Sequence, residues 1–446
     1  MANKSPDRRE YRHRRRVRNQ VLAYLVLLVL LAAIALLVIF GIKLLREGSR
    51  SRAADDTAVA EATPSATPTP EEEQATISTP ESMEEFLDPT PTEAEPEEPA
   101  VDPEVQGMLD GMDLESKVEN LFLISPEALA GVKNDWATVA GGKTEEGIGE
   151  YHIFGVAYTE KNVVDGEKFK NMISQTKKWY FDKYERDLFA FVYEEGAYNT
   201  ISSKVQGVDP QKSAQEIGES GNNENARQAY SDIGALLTEY GIDGDLAPVA
   251  SVKASDQCYL GKRCFSDDAD MAASMLSEAV EGLHLSGIHA CLTGFPGEGF
   301  SNTDPENGAL KTERSLDEMR EFELKPFTES KADMIMVSNL VAESIDSGVS
   351  ASISEKVVTE LLRDELQFEG VIVTAPLEQA ACTARQTPGD WALRAVLAGA
   401  DVLYVRDRDD FVQARDTLIA EVQAGTISEE RIDESLIRIF SMELNK

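Results

Sequence analysis

Eight short apolar runs, each followed by a polar or amphipathic stretch, fill the chain from about Val105 to Lys446 and restrict the folds open to it. In order they are "NLFLIS", "HIFGVAYT", "DLFAFVYE", "DGDLAPVAS", "HACLTGF", "DMIMVSN", "GVIVTAP" and "DVLYVR". Strands this continuously apolar are buried on both faces, the condition of parallel strands covered by crossover helices. The segments between them include "DADMAASMLSEAVEGLHLSG", "LDEMREFELKPFTES" and "SEKVVTELLRDELQ", with apolar residues at helical spacing. Ser354 is the expected N-cap of the last. Eight such units in roughly 340 residues predict an α/β chain closed into a (β/α)8 barrel over 106–446. A doubly wound open sheet is the competing topology, but no strand is followed by the Gly-rich turn that holds dinucleotides. In a barrel the chemistry belongs to the loops that leave the C-terminal ends of the strands.

Everything before residue 106 is of another kind. Residues 1–20 hold eight Lys or Arg against Asp7 and Glu10, and Val21 to Ile42 then runs 22 residues without a charge. A helix of that length spans about 33 Å, enough to cross a bilayer core. A cleavable signal peptide would carry a shorter apolar region and a small-residue cleavage site, whereas "KLLREGSRSR" follows here. The expectation is a transmembrane helix over 21–45, with the basic tail 1–20 cytoplasmic and the remainder outside the cell membrane. Residues 46–105, rich in Pro, Thr and Glu, lack apolar periodicity and are expected to form a disordered linker. With 80 acidic residues against 43 basic ones, the chain repels phosphate backbones, so no nucleic-acid partner is expected.

The strand-end loops exclude several chemistries. Of four histidines, His13 falls in the basic tail, His152 and His289 at strand beginnings, and His284 in a helix. No His-based triad, GxSxG elbow or Walker loop is present, and no His or Cys spacing suits a metal. No cofactor is implied. Cys258 and Cys264, in "CYLGKRC", leave open a disulfide-closed loop or two unpaired thiols. Cys291 and Cys382 sit on or near strands and are expected to be buried.

One loop is built as functional loops are. "CLTGFPGEGFSNTDPEN" leaves an apolar strand, turns through glycines and a proline, and ends in a polar stretch. With it stand "MDLESKVENLF" (112–122), "FVYEEG" (191–196), "GIDGDLAPVASV" (241–252), "GKRCF" (261–265), "ELKPF" (323–327), "LLRDELQFEGVIVT" (361–374), "LAGADVLYV" (397–405) and the closing "AGTISEERIDESLIRIF". In series, these segments resemble the N-terminal barrel of family 3 glycoside hydrolases, above all the single-domain bacterial β-N-acetylhexosaminidases that act on wall glycans. The resemblance runs over nearly all of 106–446.

That resemblance implies a retaining hydrolysis, in which a carboxylate attacks the anomeric carbon while a proton donor assists the leaving oxygen. The implied nucleophile, an Asp after the seventh strand, is here Ala375, followed by Pro376. The Lys-His pair implied before Phe-Pro-Gly is Thr293 and Gly294. The His-Gly-Asp-Thr implied after it is Glu298, Gly299, Phe300 and Ser301. Of the implied Asp-x-His acid/base pair, Asp304 remains and Glu306 stands at the histidine. The sugar-anchoring Asp after strand three is Tyr193, in "YEEGA". Arg263, Asp304 and Glu195 are the substrate-binding candidates that persist.

Taken together, these positions predict a membrane-tethered, outward-facing family 3 homologue without its catalytic apparatus. It is expected to bind or scaffold at the cell envelope, on wall glycan or an envelope protein. Two other outcomes stay open. Glu194, Glu195, Glu298 and Glu306 offer carboxylates for a rebuilt, working β-N-acetylhexosaminidase site, and an inverting pair needs a separation of roughly 6.5–9.5 Å. Alternatively Tyr193 and Phe300 plug the mouth of a protein-binding, structural or signalling module.

Overall fold

All eight apolar runs become strands of one parallel sheet: β1 (Phe122–Ile124), β2 (Gly155–Ala157), β3 (Phe189–Val192), β4 (Gly244–Asp245), β5 (His289–Phe295), β6 (Met334–Val337), β7 (Val371–Thr374) and β8 (Leu403–Val405). The computed structural model describes residues 101–379 and 386–444. The strands lie in chain order, with β8 returning beside β1 so that Phe122 pairs with Leu403 and Ile124 with Val405. Between β7 and β8 the ladder thins to a parallel bridge, Val373 to Val402, reinforced by the Thr374 N–H donating to the Val402 carbonyl at 2.9 Å. The result is a near-closed eight-stranded barrel wrapped in helices, the (β/α)8 type expected from the alternation.

Local sequence starts the helices where they are needed. Asp165, Asp268, Ser315 and Thr387 accept the first-turn N–H groups of helices Gly166–Tyr184, Ala269–His284, Leu316–Glu321 and Pro388–Leu397. Ser354 behaves differently from its expected role. The helix Lys356–Glu365 is wound in π geometry without a side-chain cap, and the Ser354 hydroxyl instead donates to Asp346 at 2.7 Å. The segment 316–330 is likewise two short helices rather than one. Phe322 leaves helical geometry, and Pro326 opens the second piece, Lys325–Glu329. Helix Pro103–Asp110 begins inside the stretch expected to be linker, with Val105 fully buried.

Inside the barrel wall the strand residues, apart from Thr293 and those at ladder ends, are apolar and buried, with Phe122, Phe189, Phe191, Phe295 and Tyr404 among the largest fully buried side chains. Burying each such ring is worth about 1.5–3 kcal/mol. The N-terminal ends of the strands are fastened by charge. Asp401, fully buried before β8, accepts from Arg363 at 2.9 Å, Arg438 at 3.1 Å, Ser435 at 2.8 Å and the Ile372 N–H at 2.9 Å. Asp333, before β6, meets His284 at 2.8 Å and His289 at 3.4 Å and accepts the Ala290 N–H at 2.9 Å. His152 stacks flat on Tyr184 at 4.0 Å, and burial, helped by Arg186, lowers its pKa to about 4. These histidines therefore serve the base of the barrel.

Among the described residues no helix is long and apolar enough to cross a membrane. The segments 1–20, 21–45 and nearly all of 46–105, and with them the anchor and linker expectations, lie outside the described residues, as does Cys382. Cys258 and Cys264 are unbonded buried thiols packed together with Val249 and Leu260.

Candidate functional site

Where the strands end, the barrel opens into a cavity of about 260 Å³. Its wall is contributed strand by strand. Thr159 follows β2, Tyr193 follows β3, and Tyr259 and Arg263 come from the loop after β4. Thr293 and Gly294 belong to β5, and Glu298, Asp304 and Glu306 to its loop. Ser338 follows β6, Ala375, Pro376 and Gln379 follow β7, and Tyr404 and Arg406 end β8. A larger cleft of about 630 Å³, lined by residues such as Gln215, Lys253, Asp256 and Asp267, draws only on the segments after β3 and β4. The barrel-mouth cavity is therefore the candidate site.

The loop after β5 is shaped by glycines. Gly294 has φ +97°, and a Cβ there would lie 2.9 Å from Ser251 Oγ and 3.3 Å from Glu298 Oε2. At Gly299 a Cβ would fall 1.7 Å from the Val252 carbonyl oxygen, so no side chain fits. The turn is held by the Gly297 N–H donating to the Gly294 carbonyl at 2.7 Å and the Glu298 N–H donating to Ser251 Oγ at 3.0 Å. A side chain at 294 would thus press first on Ser251 and then on the carboxyl of Glu298.

Glu298 is 7% exposed and accepts from the Tyr259 hydroxyl at 2.5 Å. Burial pushes its pKa up, against hydrogen bonds from Tyr259 and Ser338. The two arginines of the wall are already matched. Arg263 is bonded to buried Glu195 and lies 5.4 Å from the Tyr198 ring centre. Arg406 makes a two-pronged contact with Glu306, at 2.9 and 3.1 Å, and approaches Glu378 at 3.5 Å. Asp304 accepts the Glu306 N–H at 2.9 Å, which fixes the bend of the loop.

The structure therefore brings Ala375, Pro376, Thr293, Gly294, Tyr193, Arg263, Asp304, Glu298 and Glu306 onto one cavity wall. It leaves others out. Glu195 sits off the wall, bonded to Arg263, and Glu194 is spent on the Ile201 and Ser202 N–H groups at 2.8 and 3.2 Å. Phe300 does not plug the mouth; it packs on Phe322 at 5.8 Å with Arg314 over its ring at 4.5 Å. Tyr193 lines the cavity yet leaves it open. Past Ala375 the next carboxylate along the chain is Glu378. Its Oε1 accepts the Arg406 and Asp407 N–H groups at 2.5 and 3.0 Å, so it fastens the β7 and β8 loops. Tyr198, Tyr259, Arg406 and Gln379 went unnoticed in the sequence. "CYLGKRC" and the Arg that ends "DVLYVR" were the available signals. Among the described residues no group of His, Cys, Asp and Glu is placed to hold a metal ion.

Comparison with known proteins agrees with this architecture. The family model described as the glycosyl hydrolase family 3 N terminal domain matches residues 114–442. A β-hexosaminidase of Idiomarina loihiensis is 31% identical over 239 residues, 51% of this chain and 70% of that protein. An uncharacterized secreted glycosyl hydrolase of Arthroderma benhamiae is 30% identical over 246 residues, 52% of this chain and 69% of that protein. Among solved structures, a family 3 β-N-acetylglucosaminidase from a Paenibacillus species superposes with a TM-score of 0.69 at 26% identity, over 75% of this chain and 62% of that one. A β-N-acetylhexosaminidase from Beutenbergia cavernae shares the fold, with a TM-score of 0.63 at 23% identity over 74% of this chain and 98% of that one. By its barrel, this chain belongs to glycosyl hydrolase family 3.

Proposed function

We propose that this barrel binds a saccharide at its mouth and does not hydrolyse it by the retaining route. One observation carries this: the residue that follows β7 on the cavity wall is Ala375, and its methyl group has no electron pair for an anomeric carbon. Of the carboxylates nearby, Glu378 is engaged by the β8 backbone and Glu306 by Arg406, while Glu298 and Asp304 come from the β5 loop and not from the end of β7. Removing one catalytic group commonly costs several powers of ten in rate, each worth about 1.4 kcal/mol of barrier. A saccharide ligand is supported by the relatives' names and by a wall that mixes tyrosine faces with polar groups. At about 260 Å³ the cavity falls just below the roughly 300–1,000 Å³ of common ligand pockets, which suits one sugar residue rather than a chain. The uncharged run 21–42 serves in this account as a membrane anchor, and 46–105 as a spacer that carries the barrel to the envelope glycan.

The test is turnover of 4-nitrophenyl N-acetyl-β-glucosaminide by the full-length chain. Release no faster than in enzyme-free buffer is expected, and release that Glu306→Ala abolishes overturns the proposal. A second reading rests on Glu298 and Glu306 sharing the cavity: two carboxyl groups on one wall, one of them buried, are what an inverting hydrolase uses as a pair. It is distinguished by Glu298→Gln, which removes turnover in that case only.

A further inference from the structure

We propose that the cavity selects an amino sugar with a free, protonated amine over its N-acetylated or neutral counterpart, because unmatched carboxylates and tyrosine faces share its wall. This rests on the saccharide reading above and adds the class of ligand. The wall holds two guanidinium groups, but each is taken by a carboxylate of its own, Arg263 by Glu195 and Arg406 by Glu306. Glu298 and Asp304 are left, and among the described residues neither forms an ion pair. Glu298 is the more demanding of the two. It is nine-tenths buried, its hydrogen-bond partners, Tyr259 and Ser338, are neutral hydroxyls, and the charge of Arg263, already bonded to Glu195, does not outweigh the burial. Holding a carboxylate there without a cation in direct contact is costly, and an entering ammonium would relieve that cost.

The remaining wall is suited to the same guest. Tyr193 and Tyr198 meet edge to face, with ring centres 5.7 Å apart and planes at 77°, so the two rings make a corner. Tyr259 and Tyr404 add aromatic surface to the same cavity. Rings around a carboxylate are how organic ammonium groups are held, since the ring faces attract a desolvated cation. An acetamido group offers no positive charge to Glu298 and leaves that carboxyl as it was.

Calorimetric titration of the full chain near neutral pH, with D-glucosamine, N-acetyl-D-glucosamine, D-glucose and methylamine, tests this. Glucosamine is expected to bind at least about tenfold more tightly than N-acetylglucosamine or glucose, the scale of one buried cation contact. Methylamine, lacking the ring hydroxyls, is expected to bind more weakly than glucosamine. Glu298→Gln keeps the shape and removes the carboxylate, and is expected to erase the tenfold preference for glucosamine over glucose. Asp304→Asn, at a partly exposed position, checks the same wall without disturbing a buried group and is expected to weaken glucosamine alone. N-acetylglucosamine bound as tightly as glucosamine overturns the amine preference and leaves saccharide binding standing. Methylamine bound as tightly as glucosamine overturns the amino-sugar assignment. Binding of none of the three sugars by folded protein overturns saccharide binding itself.

Discussion

Gly294 and Glu298 depend on each other for space. The absence of a side chain at 294 leaves room for Ser251 and for the buried carboxyl of Glu298. Restoring bulk at 294 should therefore cost stability through both the left-handed backbone and the contact with Ser251. Gly294→Ala is expected to lower unfolding free energy in urea by about 1–3 kcal/mol. A loss below about 0.5 kcal/mol, within surface-substitution scatter, would mean that Glu298 yields freely. At this scale the family resemblance, and not residue spacing, singled out Ala375, Tyr193, Arg263, Asp304 and Glu306, all of which line the cavity. It misplaced Glu195 and Phe300 because neighbours on a strand-end loop point to different sides. Which side faces the cavity depends on the path of the loop, and residue spacing does not encode that path. Tyr198 and Tyr259 were hidden for the same reason.

The elements were more legible than the loops. Eight apolar runs gave eight strands in order, since burial on both faces leaves a continuous signal along the chain. The helices at Ser354 and Phe322 departed from expectation where a side chain found a better partner or a proline interrupted the pattern. The base of the barrel permits two stability tests. Burial opposes the charge of Asp333, but hydrogen bonds from His284 and His289 outweigh it and hold the carboxyl well below the usual range. The hydrogen bond to Asp333 in turn raises the pKa of His284. The Asp333 contribution is present above its unfolded pKa of about 3.9 and lost as pH falls through the depressed folded value. The His284 contribution is complete below its unfolded pKa of about 6.5 and lost as pH rises through the raised folded value. The melting temperature gap between wild type and Asp333→Asn should be widest between about pH 4 and 6.5 and should narrow on either side. A gap independent of pH would rule out the charged pair. Asp401→Ala strands the guanidinium groups of Arg363 and Arg438 in the wall. A loss of about 3–5 kcal/mol is expected from denaturant unfolding, and a loss under about 1 kcal/mol, the scale of an exposed ion pair, would show that water reaches the site.

For the molecule as a whole, the account joins an apolar anchor segment, a spacer and a binding barrel on one acidic chain. If 46–105 is an exposed spacer outside the membrane, trypsin added to intact cells should cut near Arg50 and Arg52 and release the barrel. Protection of the chain until the membrane is permeabilised would reverse the proposed topology. Family membership establishes the barrel, whereas the ligand and the chemistry proposed for it rest on the site. The most direct test is a proton NMR time course of β-1,4-linked glucosamine disaccharides, free and N-acetylated, mixed with the full-length chain. The account predicts broadened sugar resonances from binding, stronger for the free amine, with no new reducing-end signals at any time. Growth of those signals, removed by Glu298→Gln or Glu306→Ala, would contradict it.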